Sequence, residues 1–128
     1  MPSNCPFCHL DDEQILFQDE LVMTFRDGYP ISDGHTLIIP KRHIPSFFDT
    51  TDDEQQALLQ ALHAARRELT QQYAPDGYNI GINDGLAAGQ TVMHLHIHLI
   101  PRYRDDCDDP RGGVRWIFPE KAAYFKKR

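Results

Sequence analysis

The chain has 128 residues, 41% of them hydrophobic and 25% charged, with a formal net charge of −6 at pH 7. That length and balance describe one globular domain, able to bury about two thirds of its unfolded surface. The acidic balance excludes the basic footprint that nucleic acid or an anionic membrane requires, and no run of about 18 apolar residues offers a membrane span. The start Met1-Pro2-Ser3-Asn4-Cys5 has no basic-then-apolar leader, so a cytoplasmic location is expected.

Three cysteines, an odd number, do not make a disulfide framework. Cys5-Pro6-Phe7-Cys8 has the spacing of a zinc half-site or a redox pair. A redox pair belongs at the start of a helix in a thioredoxin-like unit, and zinc needs two more ligands. Ile15-Leu16-Phe17 and Leu21-Val22-Met23-Thr24-Phe25 are β-rich runs around Gln18-Asp19-Glu20, which predicts a hairpin. A turn-rich loop, Arg26 to Gly34, leads through His35 into a strand from Thr36 to Ile39.

Thr51-Asp52-Asp53-Glu54 is a capping box that opens a helix over about residues 52 to 73. Leu58, Leu62, Ala65, Leu69 and Tyr73 form its sheet-packing face, while Ala57, Ala61 and Ala64 provide a second face permitting close approach. Pro75-Asp76-Gly77 ends the helix, and Tyr78 to Ile82 is the next strand. Asn83-Asp84-Gly85 and Gly89-Gln90-Thr91 then form turns, Gly89 allowing close backbone approach by an anion.

Met93 to Ile100 alternates three histidines with aliphatic residues, a strand signal. Leu95, Ile97 and Leu99 enter the core, and His94, His96 and His98 line the opposite face. Neighbouring histidines then sit about 6.5–7 Å apart by Cα. His94 and His98, about 13 Å apart, cannot share one zinc with His96, so the imidazoles divide their labour. Beyond Pro101, Asp105 to Asp109 is a solvated acidic loop exposing Cys107. Arg102, Arg104, Arg111 and Arg115 make a local basic element, and Glu120 to Lys126 reads as a short helix. Strands on either side of one long helix indicate an α+β fold with a mainly antiparallel sheet.

His94 through Ile100 matches His-φ-His-φ-His-φ-φ, where φ is hydrophobic. The chain therefore resembles the histidine triad (HIT) superfamily of nucleotide hydrolases and transferases. Asp33 to Ile44, containing Pro40-Lys41-Arg42-His43, resembles that family's strand and Pro-Lys-x-His turn; Asn83-Asp84-Gly85 and Gly89-Gln90-Thr91-Val92 match the approach to the triad. The tail from Pro110 to Trp116 resembles a bacterial branch labelled diadenosine tetraphosphate hydrolase-like.

The resemblance implies a single domain over residues 1–128, with a zinc-binding segment near 1–10 and a tail from about 102. It implies one structural zinc on Cys5, Cys8, His43 and His94, and no organic cofactor. His96, the central histidine, becomes the nucleophile, His98 contacts the phosphate or leaving oxygen, and His35 supports the triad. Asn83, Gln90 and Thr91, with Gly89, resemble the family's phosphate contacts. Asp27 aligns with a residue that accepts bonds from ribose hydroxyls, although aspartate before glycine is also a turn residue.

A homodimer is implied, with Arg115 reaching a partner's phosphate site. The expected activity is hydrolysis at the α-phosphorus of a dinucleoside polyphosphate or related nucleotide. The alternatives are adenosine phosphoramidate hydrolysis, nucleotidyl transfer, a metal-dependent hydrolase, and a non-catalytic zinc-stabilised module.

Overall fold

The computed structural model describes residues 4–127, so expectations touching residues 1–3 and 128 lie outside it. Strands β1 (Ile15–Gln18), β2 (Val22–Arg26), β3 (Thr36–Pro40), β4 (Gly77–Ile82) and β5 (Ile97–Arg102) form one antiparallel sheet ordered β1-β2-β3-β5-β4. Helix α1 (Asp52–Tyr73) packs across β2, β3 and β5 on one face. A second helix, α2 (Pro119–Ala122), lies in the tail. The fold is α+β, with the hairpin, the long helix and the antiparallel sheet as the sequence indicates.

Helix α1 starts where its amides can be satisfied. Thr51 Oγ1 accepts from the Glu54 amide at 3.0 Å, and Glu54 Oε1 accepts from the Thr51 amide at 2.9 Å. Arg42 adds a second partner for that carboxylate at 2.7 Å, which holds Glu54 below the ordinary glutamate range despite its burial. The helix ends at Tyr73, and Ala74 turns left-handed just before Pro75.

The core joins Val22, Ile38, Leu58, Leu69, Leu95, Ile97 and Leu99 between helix and sheet. Ala57 and Ala61 belong to it as well, with exposures of 9% and 1%. This corrects the reading of Ala57 and Ala61 as part of a second face, since both sit in the core between helix and sheet; Ala64 is half-buried. On the other face of the sheet, Phe25, Leu37 and Ile39 are covered by Phe7, Leu10 and Met23.

The triad segment also differs from expectation. Its strand runs from Ile97 to Arg102, not from Met93. Ile97 is the end residue of both ladders, paired with Ile38 on β3 and with Ile82 on β4. His94, Leu95 and His96 therefore precede the ladder, held there by the Leu95 amide donating to the Ile44 carbonyl at 2.8 Å. The alternation survives: Leu95, Ile97 and Leu99 are at most 4% exposed, on the helix side.

Candidate active site

The His94 imidazole is set apart from the other two, which line a cavity. His94 is fully buried, and its Nε2–H donates to the Pro40 carbonyl at 2.8 Å. A carbonyl only accepts, so the neutral ring keeps its lone pair on Nδ1. That atom lies 3.6 Å from Cys5 Sγ, 3.5 Å from Cys8 Sγ and 3.2 Å from His43 Nδ1. Cys8 Sγ is 3.3 Å from His43 Nδ1.

A zinc tetrahedron with Zn–S of about 2.3 Å and Zn–N of about 2.0–2.1 Å has edges of about 3.3–3.8 Å. The four residues that the resemblance implied are thus spaced as ligands of such an ion, with all four ligand atoms within 4.8 Å of one another. The cysteines flank a 3₁₀ turn, Pro6–Cys8, rather than opening a redox helix. Burial and the neighbouring Cys5 thiol push the Cys8 thiol up, a cost that a cation in the cluster would reverse.

His96 and His98 go the other way, onto the wall of an open cavity of about 1790 Å³. His96 Nδ1–H donates to the His94 carbonyl at 2.8 Å, which leaves the Nε2 lone pair for the cavity. Phe7 stands edge-on to the His96 ring at 5.1 Å between centroids, and His98 packs beside it at the same distance. His35, only 3% exposed, places Nε2 at 2.9 Å from His98 Nδ1. Asp27 Oδ2 is 3.4 Å from the same His35 nitrogen.

Asp27, His35 and His98 are close enough to suggest a second metal cluster. Hydrogen bonding argues otherwise: the Ile31 amide donates to His35 Nδ1 at 3.2 Å, so the His35 proton sits on Nε2, where a metal would need a lone pair.

Asn83, Gly89, Thr91 and Asp27 line the cavity with the two imidazoles. Asp27 also keeps its turn role, Oδ1 accepting from the Tyr29 amide at 2.8 Å. Gln90 is brought to the loop but not to the cavity wall. Its carbonyl accepts from the Gly85 amide at 2.8 Å, and its NH₂ donates to Pro45 and Val92 carbonyls at 3.0 and 3.2 Å. At 3% exposure it shapes the loop, which corrects the phosphate contact expected of it.

Arg115 is likewise not on the cavity wall. Its guanidinium donates to the Lys121 carbonyl at 2.9 Å and stacks over Tyr124. Arg102 pairs with Asp106 at 2.8 Å and Asn79 at 2.7 Å, Arg111 pairs with Asp109 at 3.1 Å, and Cys107 is exposed as expected. Sequence reasoning missed Phe7, Leu10 and Leu37 on the wall. Only the position of Phe7 between two metal-type cysteines pointed to it.

A family model described as the HIT domain matches residues 10–105. The chain is 37% identical over 93 residues to a Schizosaccharomyces pombe protein named bis(5'-nucleosyl)-tetraphosphatase (asymmetrical), covering 73% of this chain and 51% of that one. Among solved structures it is similar to a HIT family protein from Bacillus anthracis, at TM-score 0.75 and 30% identity, covering 99% of this chain and 95% of that one. It is also similar to a Zn-bound histidine triad family protein from Mycobacterium smegmatis, at TM-score 0.66 and 30% identity, covering 89% and 87%.

Burial, aided by the charges of His96 and His35 and opposed by Asp27, pushes His98 down to about 4. Burial also lowers His35, again against Asp27. Both rings are therefore neutral near pH 7. Because the folded values lie below the ordinary histidine value of 6.5, the unfolded chain binds more protons between about pH 6.5 and 4. Stability is then fully present above that window and declines as pH falls through it. The thermal midpoint, followed by circular dichroism from pH 7 to 4, should fall, and more shallowly in His98→Asn; equal slopes would contradict this account.

Proposed function

The chain belongs to the HIT domain family, and on that premise we propose that it is a nucleotide hydrolase acting at the α-phosphorus through a nucleotidyl intermediate on His96. The observation that carries this reading is the His96 Nδ1–H bond to the His94 carbonyl, which fixes an Nε2 lone pair on the cavity wall. That lone pair attacks phosphorus, an N–P bond forms, and the bond from phosphorus to the leaving group breaks. The leaving group departs with its electron pair and is protonated. Water then displaces the imidazole from phosphorus, releasing a nucleoside monophosphate and restoring His96.

His98 Nε2–H, beside His96, donates to a phosphoryl oxygen as charge builds there. Asn83, Thr91 and the backbone at Gly89 supply further contacts to that group, and Asp27 accepts from the ribose. Phe7, Leu10 and Phe25 offer an apolar end for a base. Gln90 has no part in this set, and Arg115 joins it only as a contact to the phosphate site of a dimer partner.

A dinucleoside polyphosphate is the substrate class favoured by the name of the yeast relative. Of the tail carboxylates on the wall, Asp106 and Asp109 are paired with Arg102 and Arg111, so they do not separate this class from a phosphoramidate. A panel holding both classes decides between them. With substrate labelled at the α-phosphate, rapid quench should leave an acid-labile, base-stable label on the protein. His96→Ala should lose that label and slow turnover by roughly a thousandfold or more; near-normal turnover would sink the mechanism.

The same reading takes residues 1–128 as one domain tied at its start by a structural zinc on Cys5, Cys8, His43 and His94. In such a closed site the binding energy is folding energy. Metal analysis should give one zinc per chain, and chelation should lower the melting temperature, as should Cys5→Ser. A metal-free preparation with unchanged stability in Cys5→Ser would refute it.

Among the described residues, no helix is long and apolar enough to cross a membrane. Among the described residues no disulfide joins the cysteines, in keeping with the cytoplasmic location proposed here. A two-fold homodimer is supported by the edge position of β4, whose Ile80 is 52% exposed, and by Leu59 at 55% on α1. Sedimentation equilibrium at micromolar concentration should give twice the chain mass; a monomer would overturn the dimer.

A further inference from the structure

The segment from Asp27 to His35 is closed on itself. The Asp27 amide donates to the His35 carbonyl at 2.9 Å, and the His35 amide donates to the Ser32 carbonyl at 3.2 Å. Asp27 Oδ1 takes the Tyr29 amide at 2.8 Å. At the loop's end Gly34 has φ +90°, and a Cβ there would lie 2.8 Å from Leu69 Cδ2. The loop is thus seated against α1. Inside it, the Ile31 amide points at His35 Nδ1 from 3.2 Å. The Ile31 side chain is 74% exposed, so what the position contributes to the interior is its backbone.

We propose that the Ile31 backbone amide is a tautomer lock for the catalytic imidazoles: it holds the His35 proton on Nε2 and thereby makes His98 present an N–H, not a lone pair, to the phosphoryl group. An amide only donates, so His35 Nδ1 must be a lone pair. A neutral imidazole has one proton, which is then on Nε2, 2.9 Å from His98 Nδ1. His98 Nδ1 must accept it, and the single His98 proton is left on Nε2. The Asp27 carboxylate, 3.4 Å from His35 Nε2, favours the same placement.

The outcome is opposite to that at His96, where a carbonyl takes the proton on Nδ1. Two rings 5.1 Å apart thus show the cavity complementary atoms, an electron pair to attack phosphorus and a proton to hold its oxygen. Reversal at His35 would turn a lone pair of His98 toward phosphoryl oxygens and repel them. Ile31 is in this sense a positioning residue, acting through His35. The lock itself is independent of the proposed reaction, and only its effect on turnover rests on that reading.

Nitrogen–proton correlation spectra of the imidazoles test it. In the wild-type protein His35 and His98 should each show a pyridine-type Nδ1 and a protonated Nε2, with His96 the reverse. Ile31→Pro removes the donor, and His35 should pass to mixed tautomers while backbone spectra outside the loop stay in place. Ile31→Ala keeps the amide and should keep the His35 pattern. In Ile31→Pro, kcat should fall roughly ten- to a hundredfold, the scale of a misdirected transition-state donor, with KM moving less. A protonated Nδ1 on wild-type His35, or an unchanged pattern in Ile31→Pro, would overturn the lock; changed tautomers with unchanged kcat would overturn its catalytic role. Absence of wild-type turnover on every nucleotide tested would instead defeat the proposed function, leaving the spectra to judge the lock.

Discussion

The site depends on the hydrogen bond that His94 donates to the Pro40 carbonyl. It is made at the point where the ladder stops, with His94 fully buried between β3 and the N-terminal turn. Because a carbonyl can only accept, the bond leaves Nδ1 of His94 bare toward Cys5, Cys8 and His43. The backbone of the same residue then accepts from His96 Nδ1–H and turns the other nitrogen of His96 outward. One buried histidine therefore orients a metal-type cluster with its ring and the proposed nucleophile with its carbonyl. Substituting it would disturb both.

The same logic runs through the other imidazoles. Burial keeps His35, His94 and His98 neutral near pH 7, and a neutral ring carries one proton whose place is set by its partners. Those partners are main-chain groups held by the sheet and its loops: the Pro40 and His94 carbonyls and the Ile31 amide. Backbone groups in ordered elements move little, so His94, His96 and His35 take distinct roles from main-chain partners, while His98 takes its own from His35 Nε2, a placement Asp27 also favours. Phe7 reinforces this by standing against His96, where it narrows the apolar end of the cavity.

Much of this was legible in the chain. The Thr51–Glu54 box and the spacing of Leu58, Leu62 and Leu69 marked helix α1 because local hydrogen bonding and one-sided burial leave periodic traces. Alternation placed Leu95, Ile97 and Leu99 in the core and set the histidines apart from them. What was not legible were matters of neighbours. Ala57 and Ala61 read as a spare small-residue face, yet both are buried in the core between helix and sheet. Gln90 read as a ligand contact, yet its amide closes a loop through Gly85, Pro45 and Val92. A buried amide looks the same in sequence whichever partners it has.

The sequence by itself determined the element types, the helix start, the alternating triad and the pairing of two cysteines with histidines by family pattern. These follow from properties carried within a few residues: spacing, capping and the period of the backbone. The tertiary structure alone decided where β5 begins, which nitrogen of each imidazole bears the proton, and which arginines stand away from the cavity. Several of those outcomes turn on groups far apart in the chain, such as the 54-residue separation of His94 and Pro40 and the 63-residue separation of His35 and His98. A hydrogen bond over such a distance is set by packing geometry, on which local sequence leaves no mark.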